Sequence, residues 1–256
     1  MRVRAMMLAA ALSVAAFGQK DSPSFETREF AFRHASSAQQ YQEIATVVRV
    51  LAELPFVEVM ETAGRLRVRG PRELLPTAEW VMKQLDRERP VRLPAASEIH
   101  AMAPQPMGDD KVRLFHLAHA ESAQALQETA TVVRSLVMIR RVMVYNETKV
   151  LALRGTEEEL RFAAWLLGEL DREPGKAATT GQEFLTRDRR FAYPVRVFVL
   201  PGMSQQRLQE VAAEVRKKAR TGWLYTYSPL RAVAVKTTAE EMEVVVKLLE
   251  KGGGAH

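Results

Sequence analysis

The chain repeats itself, and that self-match limits its fold more than any single motif does. Placing His34 on His119, an offset of 85, aligns two long stretches without a gap. Ala35/Ala120, Ser37/Ser122, Gln39/Gln124 and Gln42-Glu43/Gln127-Glu128 coincide, as do Ala45 to Arg49 with Ala130 to Arg134. Arg69-Gly70/Arg154-Gly155, Trp80/Trp165 and Leu85 to Glu88 with Leu170 to Glu173 complete the match. A third, weaker copy starts near Val195. Phe198 and Leu200 fall on Phe115 and Leu117, and one residue is lost at Pro201-Gly202. Leu208 to Glu210, Arg216, Tyr227, Thr238, Glu240 and Leu249 then fall on Leu126 to Glu128, Arg134, Tyr145, Thr156, Glu158 and Leu167. Each copy is too short to be a large domain, so the expected architecture is three small units in tandem.

Hydropathy period predicts what one unit is. Val112 to Ala118 alternates, and Glu121 to Val137 has helical spacing. Arg141 to Tyr145 and Lys149 to Arg154 are short apolar runs around the polar break Asn146-Glu147-Thr148, and Glu157 to Asp171 is helical again. The order is strand, helix, hairpin, helix. In the first copy, Tyr41, Ile44, Ala45, Val48 and Leu51 form one buried stripe, answered by Leu126, Thr129, Ala130, Val133 and Leu136 in the second. Capping boxes are expected at Ser36-x-x-Gln39, Thr156-x-x-Glu159 and Thr238-x-x-Glu241. Phe56 to Met60 and Arg65 to Arg69 should pair across Thr62-Ala63-Gly64, with Pro71 opening the second helix. The fold class expected is α+β: three tandem βαββα repeats of KH-like topology, each a three-stranded sheet packed with two helices.

The expected divisions are a signal peptide over 1–18, repeats over 27–88, 112–173 and 191–251, linkers over 89–111 and 174–190, and a flexible tail over 252–256. The linkers read as semi-extended spacers, the first rich in Pro and Ala, the second carrying a basic cluster at Arg187, Arg189 and Arg190. The N-terminus sets the compartment. Met1 to Arg4 is basic, Ala5 to Phe17 is apolar and uncharged, and Ala16 and Gly18 are the small residues expected before a cleavage after Gly18. The run is shorter than the roughly 20 residues of a spanning helix. The expected location is periplasmic or secreted, with no transmembrane span. Without Arg2 and Arg4, 35 basic residues face 31 acidic ones, a mild +4 that permits an anionic partner without requiring one. Cysteine is absent, which excludes disulfides, thiolate metal sites and a cysteine nucleophile.

No catalytic, cofactor or metal residues are expected. Phosphate-binding glycine loops, Gly-x-Ser-x-Gly and His-Glu-x-x-His are all missing. His34 and His119 follow the first strand in their copies, where Gly202 stands in the third, which favours a loop or cap contact. Glu157 to Glu159 and Glu240-Glu241 lie in the first turn of a helix, where its dipole accounts for them. The interaction candidates are aromatic and polar. Phe162, Trp165 and Leu166 form a second apolar stripe on their helix; Trp80 stands in the same place in the first copy. Either each ring wraps the rim of its own core or it covers a contact with a neighbouring copy or subunit. Gln124, Gln127 and Arg134 repeat the outward face that carries Gln39, Gln42 and Arg49, which means a recent duplication or a shared polar contact. A KH-like nucleic-acid binder is the first alternative, but the Gly-x-x-Gly loop between helices is missing. An enzyme without a recognisable motif is the second.

Val112 to Ala120, then a helix, then Val142 to Gly155 ending in Leu-Ala-Leu-Arg-Gly-Thr, then Glu157 to Asp171, resembles the repeated periplasmic N-terminal domains of bacterial secretins. Secretins are the outer-membrane ring proteins of type II secretion and type IV pilus systems. The resemblance covers nearly all of the chain after the signal segment. It implies non-catalytic modules that pack side by side or contact pilus and secretion components. A secretin follows these modules with a β-rich pore domain that is missing from this sequence, so the expected role is an accessory or assembly scaffold of the cell envelope. Its partners would be other envelope proteins, a secretin or pilus component among them; a homo-oligomer is compatible and nucleic acid is not expected.

Overall fold

The computed structural model describes residues 24–88, 95–105, 108–175, 182–188 and 191–253. The expected signal segment and its cleavage site, Arg189 and Arg190 of the basic cluster, and the last three residues of the tail lie outside these; Gly252 and Gly253, expected in a flexible tail, instead continue the last helix. Six helices and three antiparallel sheets make an α+β chain. The first sheet has the order β1-β3-β2, from β1 (Phe25–Ala31), β2 (Phe56–Met60) and β3 (Arg65–Pro71), with helices α1 (Ala38–Ala52) and α2 (Leu75–Leu85). The second is β4-β5-β7-β6, from β4 (His100–Ala101), β5 (Lys111–His116), β6 (Arg141–Tyr145) and β7 (Val150–Gly155), with α3 (Ala123–Val137) and α4 (Glu157–Leu170). The third is β8-β9-β11-β10, from β8 (Phe184–Asp188), β9 (Phe191–Val199), β10 (Leu224–Tyr227) and β11 (Ala232–Lys236), with α5 (Gln205–Ala219) and α6 (Ala239–Gly253).

Residues matched in the sequence make the same contacts. Asp86 accepts the backbone N–H groups of Arg33, His34 and Ala35 at 2.6–2.9 Å, and Asp171 accepts those of Ala118 and His119 at 2.7 Å. These aspartates end α2 and α4 and anchor the loop entering the first helix, which accounts for the repeated Asp of the Leu-Asp-Arg-Glu text; His119 also places its Nδ1 2.9 Å from the Asp171 carbonyl. Arg49, Arg134 and Arg216 each donate to a carbonyl eight residues on, at Val57, Val142 and Leu224 (2.6, 3.0 and 2.8 Å). The residue after each first helix, Glu53, Met138 and Arg220, is left-handed at φ 55°, 63° and 52°. Gly64, Lys149 and Arg231 share a second left-handed position at the hairpin turn. Gly155 is required by a close approach: a Cβ there would lie 2.6 Å from Glu159 Oε2 and 2.8 Å from Ile139 Cδ1.

Several boundaries differ from expectation. The box at Thr156 forms as expected, and Thr238 and Glu241 exchange the same pair of bonds. In α1, however, the N-cap is Ser37 with Gln40, one residue later than expected, since Ser37 is the residue that stays extended (ψ 150°). Pro71 ends β3 with ψ 133° instead of opening a helix, and Pro76 occupies the first turn of α2. The stretches 89–111 and 174–190 are not mere spacers. Each contributes a strand, β4 or β8, to a sheet edge. Two residues are too few for a period to show in β4, and in β8 the run Phe184–Asp188 (FLTRD) does not alternate apolar with polar.

Candidate interaction surfaces

Gln39, Gln42 and Arg49 of α1, like Gln124, Gln127 and Arg134 of α3, stay exposed, but beside them α1 packs on β6 and β7 of the second sheet, and α3 packs on β10 and β11 of the third. The reason is a second apolar stripe. Beyond the residues expected in the stripe for its own sheet, α1 buries Val47, and α3 buries Ala125 and Val132; Leu51 and Leu136 of those stripes lie in the same buried clusters. In the first junction these join Leu114, Tyr145, Val150 and Ala152 in one buried cluster. In the second they join Val197, Tyr227, Ala232 and Ala234. A sheet with helices on only one side would expose such residues; each preceding helix covers them, and every Å² of apolar area so removed from water stabilises by about 25 cal/mol.

The polar rim is repeated as well. Glu43 accepts the Asn146 N–H at 3.1 Å and its side-chain amide at 3.2 Å; at the same place in the second junction Glu128 accepts the Ser228 N–H at 3.0 Å. Tyr145 and Tyr227 both end the second hairpin-facing strand of their unit and are both buried. The Thr129 and Tyr227 hydroxyls lie 3.2 Å apart. Thr129 has one proton and sits 2.8 Å from the Ala125 carbonyl, so the Tyr227 O–H is left to donate to Thr129. Burial, first of all, pushes the Tyr227 phenol above its ordinary range.

The second helices complete each junction through aromatic rings. Trp80 of α2 stacks on His100 of β4 at 4.7 Å, and Thr77 Oγ1 is 3.2 Å from His100 Nε2. Phe162 of α4 stacks on Phe184 of β8 at 4.9 Å, and Trp165 packs on the same ring at 5.1 Å, tilted by 32°. His100 and Phe184 stand in one register position, opposite Val112 and Val195. The rings therefore cover a contact with the neighbouring unit of the same chain.

The junctions differ in their ionic content. Arg154, fully buried, donates from Nε to Asp109 O (2.8 Å), from Nη1 to Leu51 O (3.1 Å) and from Nη2 to Glu53 Oε2 (3.0 Å). Arg141 bridges Glu53 and Asp109 beside it. Partial burial raises the Glu53 carboxyl, but Arg154 and Arg141 outweigh it and hold the group below its ordinary 4.5. Met138, Trp223 and Lys236 stand in the places of Glu53, Arg141 and Arg154 in the second junction, and there Lys236 Nζ sits over the Trp223 and Tyr193 rings at 5.3 and 5.9 Å. His116 faces the first junction. Burial, helped by the positive charge of Arg87, lowers its imidazole to about 4.

Of the residues singled out in the sequence, Trp80, Trp165, Phe162 and Leu166 thus lie at or beneath internal junctions, with Leu166 wholly buried. Gln124 and Gln127 line a groove of about 360 Å³ between α3 and the Tyr225–Thr226 strand. Arg49 and Arg134 hold a strand of their own unit. Arg154 and Glu53 were missed as junction residues, whereas Glu43 and Glu128 stood in the repeated face for which a shared polar contact was one of two explanations. Among the described residues no group of three or more His, Cys, Asp or Glu could hold a metal ion, and no helix is long and apolar enough to cross a membrane.

No family model and no curated protein matches the chain. Solved structures do. The secretin ExeD of Aeromonas hydrophila matches at 15% identity over 91% of this chain and 42% of that one, with a TM-score of 0.21. The type II secretion system secretin GspD of E. coli K12 matches at 15% over 90% and 39%, TM-score 0.21. The N-terminal domain of the secretin XcpQ from Pseudomonas aeruginosa matches at 15% over 58% and 62%, TM-score 0.24. The chain resembles secretin N-terminal domains. It spans about two fifths of the length of the first two secretins. Likeness at such scores carries no functional weight, which rests instead on the contacts within the chain.

Proposed function

We propose that this chain is an exported, non-enzymatic interaction scaffold of the cell envelope, an accessory or assembly component of a secretin-type secretion or pilus system. It consists of three copies of one βαββα module over 27–88, 112–173 and 191–251, directed to the periplasm by residues 1–18. The observation that supports this most is the junction itself. The same helix-on-sheet docking, with the same glutamate on the same backbone amide, is used twice. Such a module is suited to binding its neighbours through faces. The sequence resemblance to secretin N-terminal domains supplies the setting, and other envelope proteins are the partners.

Size-exclusion chromatography with light scattering on the protein lacking residues 1–18 tests the reading, alone and mixed with the periplasmic domains of a secretin from the same host. Co-elution with those domains, or a defined homo-oligomer, is expected. A strict monomer that retains no envelope protein refutes it.

A further inference from the structure

We propose that the open edge of β1 receives an extended segment of a partner protein, paired antiparallel to Phe25–Ala31. The other two sheets show how. In the second, the added segment runs along β5: Ser97 N–H donates to Leu114 O (2.8 Å), His116 N–H donates to Ala95 O (2.9 Å), and His100 pairs with Val112. In the third, β8 lies on the same edge of β9, with Phe184 opposite Val195. The strands β1, β5 and β9 correspond, so Thr27, Glu29 and Ala31 stand in the places of Val112, Leu114 and His116. Among the described residues no strand lies beyond β1, and Thr27, Glu29 and Ala31 are exposed.

An edge of this kind is a template for strand addition, in which main-chain bonds give affinity and alternate side chains give selectivity. β1 is seven residues long and has neither proline nor glycine. Its inward charges do not block pairing. Arg113, which corresponds to Arg28, donates to the carbonyl of Ser97 on the added segment at 3.0 Å. The alternative approach, a helix laid on the outer face of this sheet, meets instead an ion-pair ladder of Arg65, Glu29, Arg67 and Glu58. A second copy is a poor occupant. Two β1 strands in full antiparallel register would set Arg28 against Arg28, and like charges directly opposite are unfavourable. The fitting occupant is an extended peptide without proline at its bonded positions and with a basic residue beside Glu29.

This rests on the proposed function both for its setting and for the removal of residues 1–18, since positions 10–16 correspond to the 95–101 segment that lines β5. The test places a photo-crosslinking amino acid at Thr27, and separately at Ala31, in the full chain in its host envelope, and maps the products by peptide mass spectrometry. Both positions should label one segment of one partner, with the Thr27 product about four residues C-terminal to the Ala31 product, as antiparallel pairing requires. Glu29→Pro removes an edge-facing amide and leaves the β1–β3 ladder in place; it should cut the yield at least tenfold, whereas Glu29→Ala should not. A synthetic peptide of the labelled segment should slow amide hydrogen exchange at Thr27, Glu29 and Ala31 at least tenfold, a readout that does not depend on the proline variant folding. Labelling of residues 19–23, of a second copy, of scattered sites, in parallel order, or of nothing overturns the proposal. If E29P retains a secretin as wild type does, the edge is refuted as the site while the scaffold reading stands.

Discussion

Arg69 and Arg154 occupy equivalent Arg-Gly positions, yet their replacement by alanine should have very different costs. Arg154 is buried at the first junction and satisfies the carbonyls of Leu51 and Asp109 together with Glu53. Arg69 is exposed and lies over the Phe56 ring at 5.7 Å. In Arg154→Ala the two carbonyls lose their donor, at about 1–3 kcal/mol for each that stays dry. Glu53 also loses a cation, but its side chain is 47% exposed and water replaces most of that interaction. The expected destabilisation is therefore about 3 kcal/mol, mostly from the carbonyls. Arg69→Ala forfeits an exposed cation–π contact of about 0.5–1 kcal/mol. Urea unfolding followed by circular dichroism and tryptophan fluorescence reads both. Because the lost contacts lie between units, Arg154→Ala should also lower the apparent m value, as the first unit begins to unfold ahead of the rest. Equal costs for the two variants, or less than about 1 kcal/mol for Arg154→Ala, would refute the claim that this guanidinium ties the units together.

Further tests follow from the same contacts. The His116 imidazole, held near 4 when folded against 6.5 when free, binds its proton in the unfolded state first. Stability from this group is thus complete above about 6.5 and is lost as pH falls towards 4; His116→Val should flatten the difference between denaturation midpoints at pH 7 and pH 5. Gly155→Ala should destabilise by about 1–3 kcal/mol, because Ile139 and the capping carboxylate of Glu159 must both shift; a thermal melt measures it. Lys149→Gly should stabilise by about 0.5–1 kcal/mol by relieving a left-handed lysine at φ 52°, read by the same melt. The double variant Glu214→Val, Lys218→Leu should associate with increasing concentration in sedimentation velocity, beyond any association of the wild type.

The elements were legible because three copies agreed on them. Phe56–Met60 and Arg141–Tyr145 match the expected strands residue for residue, and the box at Thr156 forms. What escaped were contacts that period cannot show. A stripe search stops once a helix has a face for its own sheet, so Val47 and Val132 passed as extra apolar residues although they build the junctions. β4 and β8 were read as linker because two residues carry no period and Phe-Leu-Thr-Arg-Asp does not alternate. Arg154 was invisible as a junction residue, because Arg69 in the matched position makes no such contact; what differs is whether a unit precedes it.

The same difference marks the outer helix α5 and the outer face of the first sheet. An internal helix must be apolar on two sides, and a terminal one must not. α5 keeps only the stripe for its own sheet; where α3 has Ala125, Val132 and Leu136 it carries Arg207, Glu214 and Lys218, tied into exposed pairs with Glu210 and with each other. The other end answers in kind. Where the second sheet offers Leu114, Val150 and Ala152 to α1, the first offers Glu29, Arg65 and Arg67, already paired among themselves. Were α5 of one copy to dock on the first sheet of another as α1 docks on the second, Glu210 would approach the turn at Glu61, and Arg220 would take the place of Glu53 before Arg69. Both polar positions that hold the internal junctions would become like-charge pairs. Docking of α5 of one copy on the first sheet of another is thus disfavoured at the very positions that hold the internal junctions.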